Sequence, residues 1–248
     1  MKSFNLIIPC YNEEGNIKNL FHEIKYFLNT VKKYKYLKIK ILLIENGSTD
    51  QTRYKIKKEI KKIKIKSNIK IIYIDKNKGY GFGIIQGIKF SKSDFIGWTH
   101  SDLQTDLNDV YRSLSALNNF KQKKSNKIII NGNRHGRSIF HEIITKLMSI
   151  VVFVFTLNYI SDINAQPKIF PSKLSSKILK NPPNDFNLDL HLLLLAKKYG
   201  YEIKYLNVNF KKRLSSKAKG AGSLKGIVLV SITVFRYLIM KLFKSIYK

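Results

Sequence analysis

The chain has 248 residues, 44% of them hydrophobic, which is enough for the core of one large domain. Its formal net charge of +30 indicates an anionic partner: a nucleic acid, a membrane surface or an anionic substrate. Nucleic acid is disfavoured, and a nucleic-acid-binding module is only a distant alternative, because the lysines are spread along the chain without a nucleic-acid-binding motif. The single cysteine, Cys10, excludes a disulfide framework and favours a reducing, cytoplasmic location.

Strands and helices are predicted to alternate through the first 110 residues. Continuous apolar runs predict strands at 4–10, 40–45, 69–74 and 95–99. Capping residues, apolar residues at helical spacing and a glycine-rich opening predict helices at about 12–28, 52–66 and 77–90. Strands without polar alternation are typical of a parallel sheet covered on both faces. The chain is therefore predicted to be an α/β protein with a mostly parallel central sheet flanked by helices.

The second half is predicted to add strands at 127–131 and 202–210 and helices at 139–160, 187–199 and 224–247. The uncharged run 148–160 has about 13 residues, too short for the roughly 20 that span a bilayer. The two apolar helices, 139–160 and 224–247, also carry Lys and Arg, as amphipathic helices of the membrane interface do. They are predicted to hold the protein peripherally on an anionic membrane surface. The alternative is that both pack on the sheet as core helices.

Polar and acidic residues follow each predicted strand of the first half. They are Tyr11 to Glu14, Glu45 and Asn46, Asp75, and the segment 100–106. Because ligands of open α/β sheets bind beyond the carboxyl ends of the strands, this placement favours a nucleotide or sugar-phosphate site over a purely structural role.

The segment after the fourth strand is predicted to bind a metal ion. His100, Asp102 and Gln104 alternate along the chain, so in an extended segment their side chains point to one side. Such a set suits Mg²⁺ or Mn²⁺, which would take its other ligands from substrate phosphates. The alternative is a solvated polar turn.

Four motifs occur in register: Pro9-Cys-Tyr-Asn-Glu-Glu14, Glu45-Asn-Gly-Ser-Thr-Asp50, Asn77-x-Gly-x-Gly and Asp102-Leu-Gln104. Together they resemble glycosyltransferase family 2, the inverting enzymes with the Rossmann-like GT-A fold. The closest resemblance is to the branch with dolichyl-phosphate mannosyltransferase and bacterial polyprenyl-phosphate glycosyltransferases. The resemblance covers residues 3–220, and in the second half Gly132-x-Arg134, Asp162 and Arg213 also fit this branch.

The resemblance implies a nucleotide-sugar donor bound through Mg²⁺ or Mn²⁺. Its donor-binding residues would be Pro9, Tyr11, Glu13, Glu45, Asn46, Gly79 and Asp102. Asp102 would hold the metal, and Gln104 would ligate or orient it. His100 and Asn46 stand where the family usually has Asp, which lowers the negative charge of the expected site.

The acceptor is expected to be anionic. Arg134, Arg213, Lys217 and Lys219 are candidates for binding its phosphate. Asp162 and Asp189 are catalytic candidates: a sugar-hydroxyl acceptor needs one of them as base, whereas a lipid phosphate is already ionised. Asp162 could instead brace a loop, and Asp189 could be a satisfied buried carboxylate.

The organisation and activity follow as expectations. Residues 1–220 are predicted to form the transferase domain, with a nucleotide-sugar half (1–110) and an acceptor half (111–220). Residues 221–248 are predicted to form a basic amphipathic helix. The leading hypothesis is inverting sugar transfer to polyprenyl phosphate. The alternatives are transfer to a sugar hydroxyl in glycan assembly, or a non-catalytic nucleotide-sugar-binding protein at the membrane.

Overall fold

A computed structural model describes residues 3–32, 37–63, 66–123, 127–211 and 224–246. The strands are β1 (Ser3–Cys10), β2 (Lys38–Asn46), β3 (Ile69–Ile74), β4 (Phe95–Trp98), β5 (Ile128–His135), β6 (Lys168–Pro171) and β7 (Glu202–Asn209). The helices are α1 (Ile17–Lys32), α2 (Thr52–Lys62), α3 (Tyr80–Phe90), α4 (Leu107–Lys123), α5 (Ile139–Thr156), α6 (Ser175–Ile178), α7 (Asn187–Lys198) and α8 (Leu224–Ile246).

The described strands form one sheet in the order β3-β2-β1-β4-β6-β5-β7. β6 runs antiparallel to both of its neighbours, β4 and β5, and every other pairing is parallel. The predicted α/β architecture with a mostly parallel sheet is therefore confirmed.

The apolar runs of the strands are explained by two layers of core, one on each face of the sheet. In β1, Phe4, Leu6 and Ile8 pack in one layer, whereas Ile7 packs in the other. The first layer includes the buried faces of α1 and α4, and the second includes those of α3 and α7. Because both faces are covered, the successive residues Leu6, Ile7 and Ile8 of β1 are all apolar.

Among the described strands and α-helices, three were not predicted: α4, β6 and the one-turn helix α6. The apolar face of α4 is buried at helical spacing, through Leu107, Val110, Leu114 and Leu117. At its start, Asp106 Oδ1 accepts a hydrogen bond from the first-turn N–H of Asn108 at 2.9 Å. The prediction also ran α2 to residue 66, but α2 ends at Lys62.

The apolar helix α5 is not a core helix. Its buried residues are only Ser149 and Val152. By contrast, α8 packs against α7 and contributes Val234, Tyr237 and Leu238 to the core. The uncharged run 148–160 was predicted to be too short to span a bilayer; the whole helix α5, at 18 residues, is long and apolar enough to cross one by length and composition alone.

A wide apolar surface runs over α5 and α8, which touch through the edge-to-face rings of Phe155 and Phe235, 5.3 Å apart. We call it the apolar surface. Its exposed residues are Ile139, Phe140, Ile143, Leu147, Ile150, Phe153, Val154 and Leu157 on and next to α5, with Val228, Leu229, Ile232, Phe235, Met240 and Leu242 on α8. Exposed apolar patches of this kind mark interaction sites.

Candidate active site

One large cavity, of about 820 Å³, opens beyond the carboxyl ends of β1, β2 and β4. Among the residues predicted from the sequence, it is lined by Pro9, Tyr11, Glu13, Asn46, His100, Asp102, Gln104, Arg134 and Asp189. Glu45, Gly79 and Asp162 do not line it. Arg213, Lys217 and Lys219 lie outside the described residues.

The loop after β4 brings His100, Asp102 and Gln104 to the cavity, but not as an extended segment. β4 ends at Trp98, and Leu103 has a φ of +59°, so the predicted alternation of side chains does not hold. Instead, Asp102 Oδ1 accepts the backbone N–H of Gln104 at 3.1 Å, which closes a tight turn. The turn presents all three side chains to one cavity.

The loop is clamped to the end of β7 by Lys211. The Lys211 N–H donates to the Gln104 carbonyl at 2.8 Å, and the Gln104 amide donates to the Lys211 carbonyl at 3.2 Å. The Lys211 ammonium pairs with Asp106 at 3.0 Å. Burial raises the pKa of Asp106, but the hydrogen bond from the Asn108 N–H and the pair with Lys211 outweigh this effect, and the pKa lies below its usual value. Lys211 itself lines the cavity.

The donor set suits a cation that is only partly held by protein. The described residues contain no group of three or more His, Cys, Asp and Glu side chains that could hold a metal ion. Asp102 supplies a carboxylate, Gln104 an amide oxygen and His100 a ring nitrogen on the same wall. One or two protein oxygen ligands, completed by phosphate and water, match Mg²⁺, and the ring nitrogen is acceptable to Mn²⁺. The residues therefore fit the metal.

Glu45 braces the end of β2 instead of binding a ligand. Its side chain is fully buried, and its two oxygens accept the Ser48 N–H at 2.7 Å and the Arg53 Nε–H at 2.6 Å. Arg53 also donates to the Ile74 carbonyl, so the pair ties β2 to α2 and β3. Both carboxylate oxygens accept hydrogen bonds within the protein and Glu45 does not line the cavity, so a contact between Glu45 and the donor stays a prediction.

Asn46, the next residue, does line the cavity. Its amide nitrogen donates to the Gly79 carbonyl at 3.0 Å, which orients the side chain. Its Oδ1 is buried and has no hydrogen-bond partner among the described residues. A buried acceptor of this kind calls for a donor from a ligand, such as a base N–H or a ribose hydroxyl.

Gly79 is required by packing against the chain at 183–185. Its φ is +114°, and a Cβ there would lie 2.3 Å from the Asn184 carbonyl oxygen. The Phe82 N–H donates to the same carbonyl at 3.1 Å. The close backbone approach at Gly79 is thus to another loop of the protein, and a contact between Gly79 and the donor stays a prediction.

Asp162 is the centre of a buried ion-pair cluster with two arginines. Its Oδ1 accepts from Arg134 Nη2 at 2.5 Å, and its Oδ2 accepts the Arg134 backbone N–H at 2.7 Å and faces Arg137 Nη2 at 3.5 Å. Burial raises the pKa of Asp162, but the two arginines outweigh it, and the pKa lies below the ordinary value. These contacts agree with the loop-bracing role that the sequence left open for Asp162, and a role as catalytic base stays a prediction.

Arg137 is a cavity residue that was not predicted. It donates to the Thr145 hydroxyl at 2.9 Å, and its Nε is buried without a partner among the described residues. Burial and the neighbouring Arg134 lower its pKa. With Arg134 it forms an arginine pair on the cavity wall. The sequence did contain a signal for Arg137: it is a second Arg three residues after Arg134, in a chain whose positive charge comes mostly from Lys.

Asp189 is the only one of the two candidate bases on the cavity wall. Its Oδ1 accepts from Trp98 Nε1 at 3.0 Å and from Gln166 Nε2 at 3.1 Å. Its Oδ2 is buried and has no hydrogen-bond partner among the described residues. Burial raises the pKa of Asp189 above the ordinary value, and nearby Lys168 and His100 only partly oppose this.

The rest of the wall is aromatic on one side and aliphatic on the other. Tyr80 stacks on Phe186, with ring centroids 4.8 Å apart, and lies 5.7 Å from the ring of His100. Neither Tyr80 nor Phe186 was predicted as a site residue. At the opposite end the lining is Ile144 and Met148 of α5 with Ile227 and Val230 of α8. The cavity thus reaches from the strand ends to the two helices of the apolar surface.

Comparisons with known proteins agree with this geometry. The sequence model of the family described as "Glycosyl transferase family 2" matches residues 5–136. The chain is 26% identical to a dolichyl-phosphate beta-glucosyltransferase of Dictyostelium discoideum over 95% of this chain and 75% of the relative. It is 24% identical to the Homo sapiens dolichyl-phosphate beta-glucosyltransferase over 87% of this chain and 69% of the relative.

Among solved structures, the fold resembles glucosyl-3-phosphoglycerate synthase from Mycobacterium tuberculosis in complex with Mn²⁺, uridine-diphosphate-glucose and phosphoglyceric acid. The TM-score is 0.67 at 13% identity, covering 96% of this chain and 79% of that one. That likeness bears on the fold, and the family match covers more than half of the chain. The protein therefore belongs to glycosyl transferase family 2 and is a glycosyltransferase with a GT-A-like fold.

Proposed function

We propose that the protein transfers a sugar, with inversion, from a metal-bound nucleoside-diphosphate sugar to a polyprenyl phosphate at the cytoplasmic face of a membrane. The observation that carries the proposal is the cavity of about 820 Å³. It joins carboxylate and amide groups at the strand ends, an arginine pair, and an aliphatic end between α5 and α8. The relatives named dolichyl-phosphate beta-glucosyltransferases support the acceptor class.

The donor is proposed to bind at the strand-end side of the cavity. Tyr11, Glu13 and the unpaired Oδ1 of Asn46 would contact the base and ribose. Asp102, Gln104 and His100 would hold Mg²⁺ or Mn²⁺, which when bound neutralises the charge of the departing nucleoside diphosphate. Because His100 brings no negative charge, the expected metal affinity is lower than that of a site with two carboxylates.

The acceptor phosphate is proposed to bind at Arg134 and Arg137, since arginine forms bidentate bonds to phosphate. Arg213, Lys217 and Lys219 are proposed to add to this site. A phosphate oxygen then forms the bond to the anomeric carbon while the bond from that carbon to the diphosphate breaks. The nucleoside diphosphate leaves with the electron pair. No base is needed, because the attacking oxygen is already ionised.

The proposal is tested with the purified full chain, Mn²⁺ or Mg²⁺, a detergent-dispersed polyprenyl phosphate, and UDP-, GDP- or dTDP-sugars in turn. We expect one donor class to give nucleoside diphosphate and a glycolipid in equal amounts, both dependent on the lipid. Absence of release with every donor would contradict an enzymatic role and favour a non-catalytic nucleotide-sugar-binding protein.

The apolar surface is proposed to lie in the membrane interface, next to the aliphatic end of the cavity. Val154 and Ile150 of α5 are 66% and 51% exposed. The basic residues of the chain would add attraction to anionic lipid, so a polyprenyl phosphate could enter the cavity between α5 and α8 without leaving the membrane surface.

Charge placed on this surface is expected to weaken membrane binding. Val154→Glu should lower binding to vesicles of phosphatidylcholine with 30% phosphatidylglycerol by roughly thirtyfold, since a charge in the apolar layer costs on the order of 2 kcal/mol. Sedimentation with vesicles measures it. The matched control is Tyr54→Glu, on α2 and also exposed, which should bind like the wild type. Equal binding of Val154→Glu and wild type would place the membrane contact elsewhere.

A second candidate function, transfer to a sugar hydroxyl, is favoured by one observation. Asp189 lines the cavity with an unpaired Oδ2 and a raised pKa, which suits a group that takes a proton. The base is proposed to be Asp189 rather than Asp162, because the oxygens of Asp162 accept from Arg134 and face Arg137.

Asp189→Asn separates the two functions. If Asp189 is a general base, turnover should fall by about 10²–10⁴-fold while donor affinity is unchanged. If the acceptor is a phosphate, turnover at saturating donor should stay within about tenfold of wild type, with the main loss in donor affinity. Steady-state kinetics combined with calorimetric donor binding distinguishes the two. A hydroxyl acceptor is excluded by the second result.

A further inference from the structure

Asp189 is held from one side by three buried donors of other elements. Trp98 of β4 and Gln166 donate to its Oδ1 at 3.0 and 3.1 Å, and the Lys168 ammonium of β6 lies 3.9 Å from the same oxygen. Each of the three side chains is at most 1% exposed. Because the bonds converge on Oδ1, the carboxylate has one fixed orientation.

Lys168 is itself anchored. Its ammonium donates to the Asn131 side-chain oxygen and to the Ile163 carbonyl at 2.7 Å. A fully buried lysine is costly to a fold unless it is paired and hydrogen-bonded. Burial lowers its pKa to about 8, with Asp189 and Asp162 opposing this effect. The lysine thus connects Asp189 rigidly to β5 and to the loop that follows Asp162.

The other oxygen of Asp189 has no such contacts. Oδ2 is buried and unpartnered within the described part of the chain, although the residue forms part of the cavity wall. An unmet buried acceptor costs about 1–3 kcal/mol, and more when charged. A hydroxyl group of a ligand is the neutral donor that would satisfy this oxygen.

An aromatic wall stands beside this carboxylate. Gln166 donates both to Asp189 and, at 3.0 Å, to the Tyr80 hydroxyl, and Tyr80 stacks on Phe186. Burial raises the pKa of Tyr80, and so do the charges of Asp189 and Asp102 and a side-chain hydrogen bond with Asp189, while Trp98 opposes this effect. Apolar faces combined with a few fixed polar groups are typical of small-ligand sites.

We infer that Asp189, Tyr80 and Phe186 form the subsite for the hexosyl group of the donor, with Asp189 Oδ2 accepting a bond from a sugar hydroxyl. Trp98, Gln166 and Lys168 are positioning residues that keep Oδ2 turned to the sugar. This rests on the proposed function, in which the acceptor phosphate leaves Asp189 available to the donor. It places the sugar between the metal loop and α7.

The test compares a nucleotide sugar with the diphosphate that lacks the sugar. Binding of UDP-glucose and of UDP to the full chain is measured by calorimetry with Mn²⁺, and the pairs GDP-mannose/GDP and dTDP-glucose/dTDP are measured in the same way. The pair whose nucleotide sugar binds most tightly is then used to compare the variants. Trp98→Phe removes one donor to Asp189 and keeps an aromatic ring. We expect its affinity for the nucleotide sugar to fall about tenfold, with affinity for the diphosphate unchanged within twofold.

The matched control is Phe170→Leu. Phe170 packs edge-to-face on Trp98, with ring centroids 5.6 Å apart, and makes no bond to Asp189. It should lower thermal stability while leaving both affinities at wild-type values. If Trp98→Phe does not fold, Gln166→Met removes another donor to Asp189, and the same selective loss is expected.

The inference is overturned if the variants lose affinity for sugar and diphosphate alike, if they lose neither, or if the wild type binds no nucleotide sugar more tightly than its diphosphate. A wild type that shows the sugar preference but transfers nothing to polyprenyl phosphate would instead overturn the proposed function.

Discussion

Asp102→Asn is expected to lower turnover at least a hundredfold, which corresponds to about 2.7 kcal/mol of transition-state stabilisation. Asp102 is the only carboxylate in the set of His100, Asp102 and Gln104 on the cavity wall. The amide can still accept the Gln104 N–H, now 3.1 Å from Oδ1, so the turn should keep its shape. The loss would therefore come from charge. Release of nucleoside diphosphate during a Mn²⁺ titration measures it.

The control is Asp106→Asn in the same loop. Asp106 pairs with Lys211 at 3.0 Å and does not line the cavity. Because partly exposed ion pairs contribute about 0–1 kcal/mol, this variant should keep most of its activity and its Mn²⁺ dependence. An Asp102→Asn protein with wild-type Mn²⁺ dependence would show that the metal does not bind at this loop.

Asp162→Asn is expected to lower the free energy of unfolding by about 3 kcal/mol, or the Tm by roughly 6–12 °C. Its side chain is 2% exposed, and the partners Arg134 and Arg137 are 17% and 10% exposed. Removing the carboxylate charge leaves two partly buried guanidinium groups together without compensation. Chemical denaturation at pH 7 measures the change. Asp109→Asn, whose partner Arg112 is 53% exposed, is the control and should cost less than about 1 kcal/mol.

The stabilisation by Asp162 should also depend on pH in a defined direction. Its pKa in the folded protein lies below the ordinary value of 3.8, so the folded state binds fewer protons than the unfolded state as the carboxyl titrates. The contribution is fully present above the unfolded pKa and is lost as the pH falls through the folded pKa. The stability difference between wild type and Asp162→Asn should thus be constant near neutral pH and narrow only below about pH 4. A difference that grows in acid would contradict the assignment.

Much of the fold was predictable because the strands are buried on both faces. β1 and β2 are covered on each side, so their apolar runs stand out from the helices in sequence. β6 has only four residues and begins with Lys168, whose burial depends on acceptors from Asn131 and Ile163. Nothing local in the sequence marks a lysine as buried, because its partners lie on other elements.

The part of the site at the carboxyl ends of the strands was predictable, because ligands of open α/β sheets bind there. Pro9 and Asn46 lie at the carboxyl ends of β1 and β2, Tyr11 and Asp102 follow β1 and β4, and all four line the cavity. Whether a carboxylate faces a ligand or an arginine depends on distant residues. Asp162 is separated from Arg134 by 28 positions, so its role as a brace appears only in the folded chain.

Trp98 is the single tryptophan of the chain, and its indole N–H donates to Asp189 on the cavity wall. Light at the long-wavelength edge of the near-ultraviolet absorption band, where only tryptophan absorbs, therefore excites the Trp98 indole alone. Its emission should respond to whatever occupies or displaces that carboxylate. The protein thus carries its own optical reporter, and ligands for the cavity can be screened without labels.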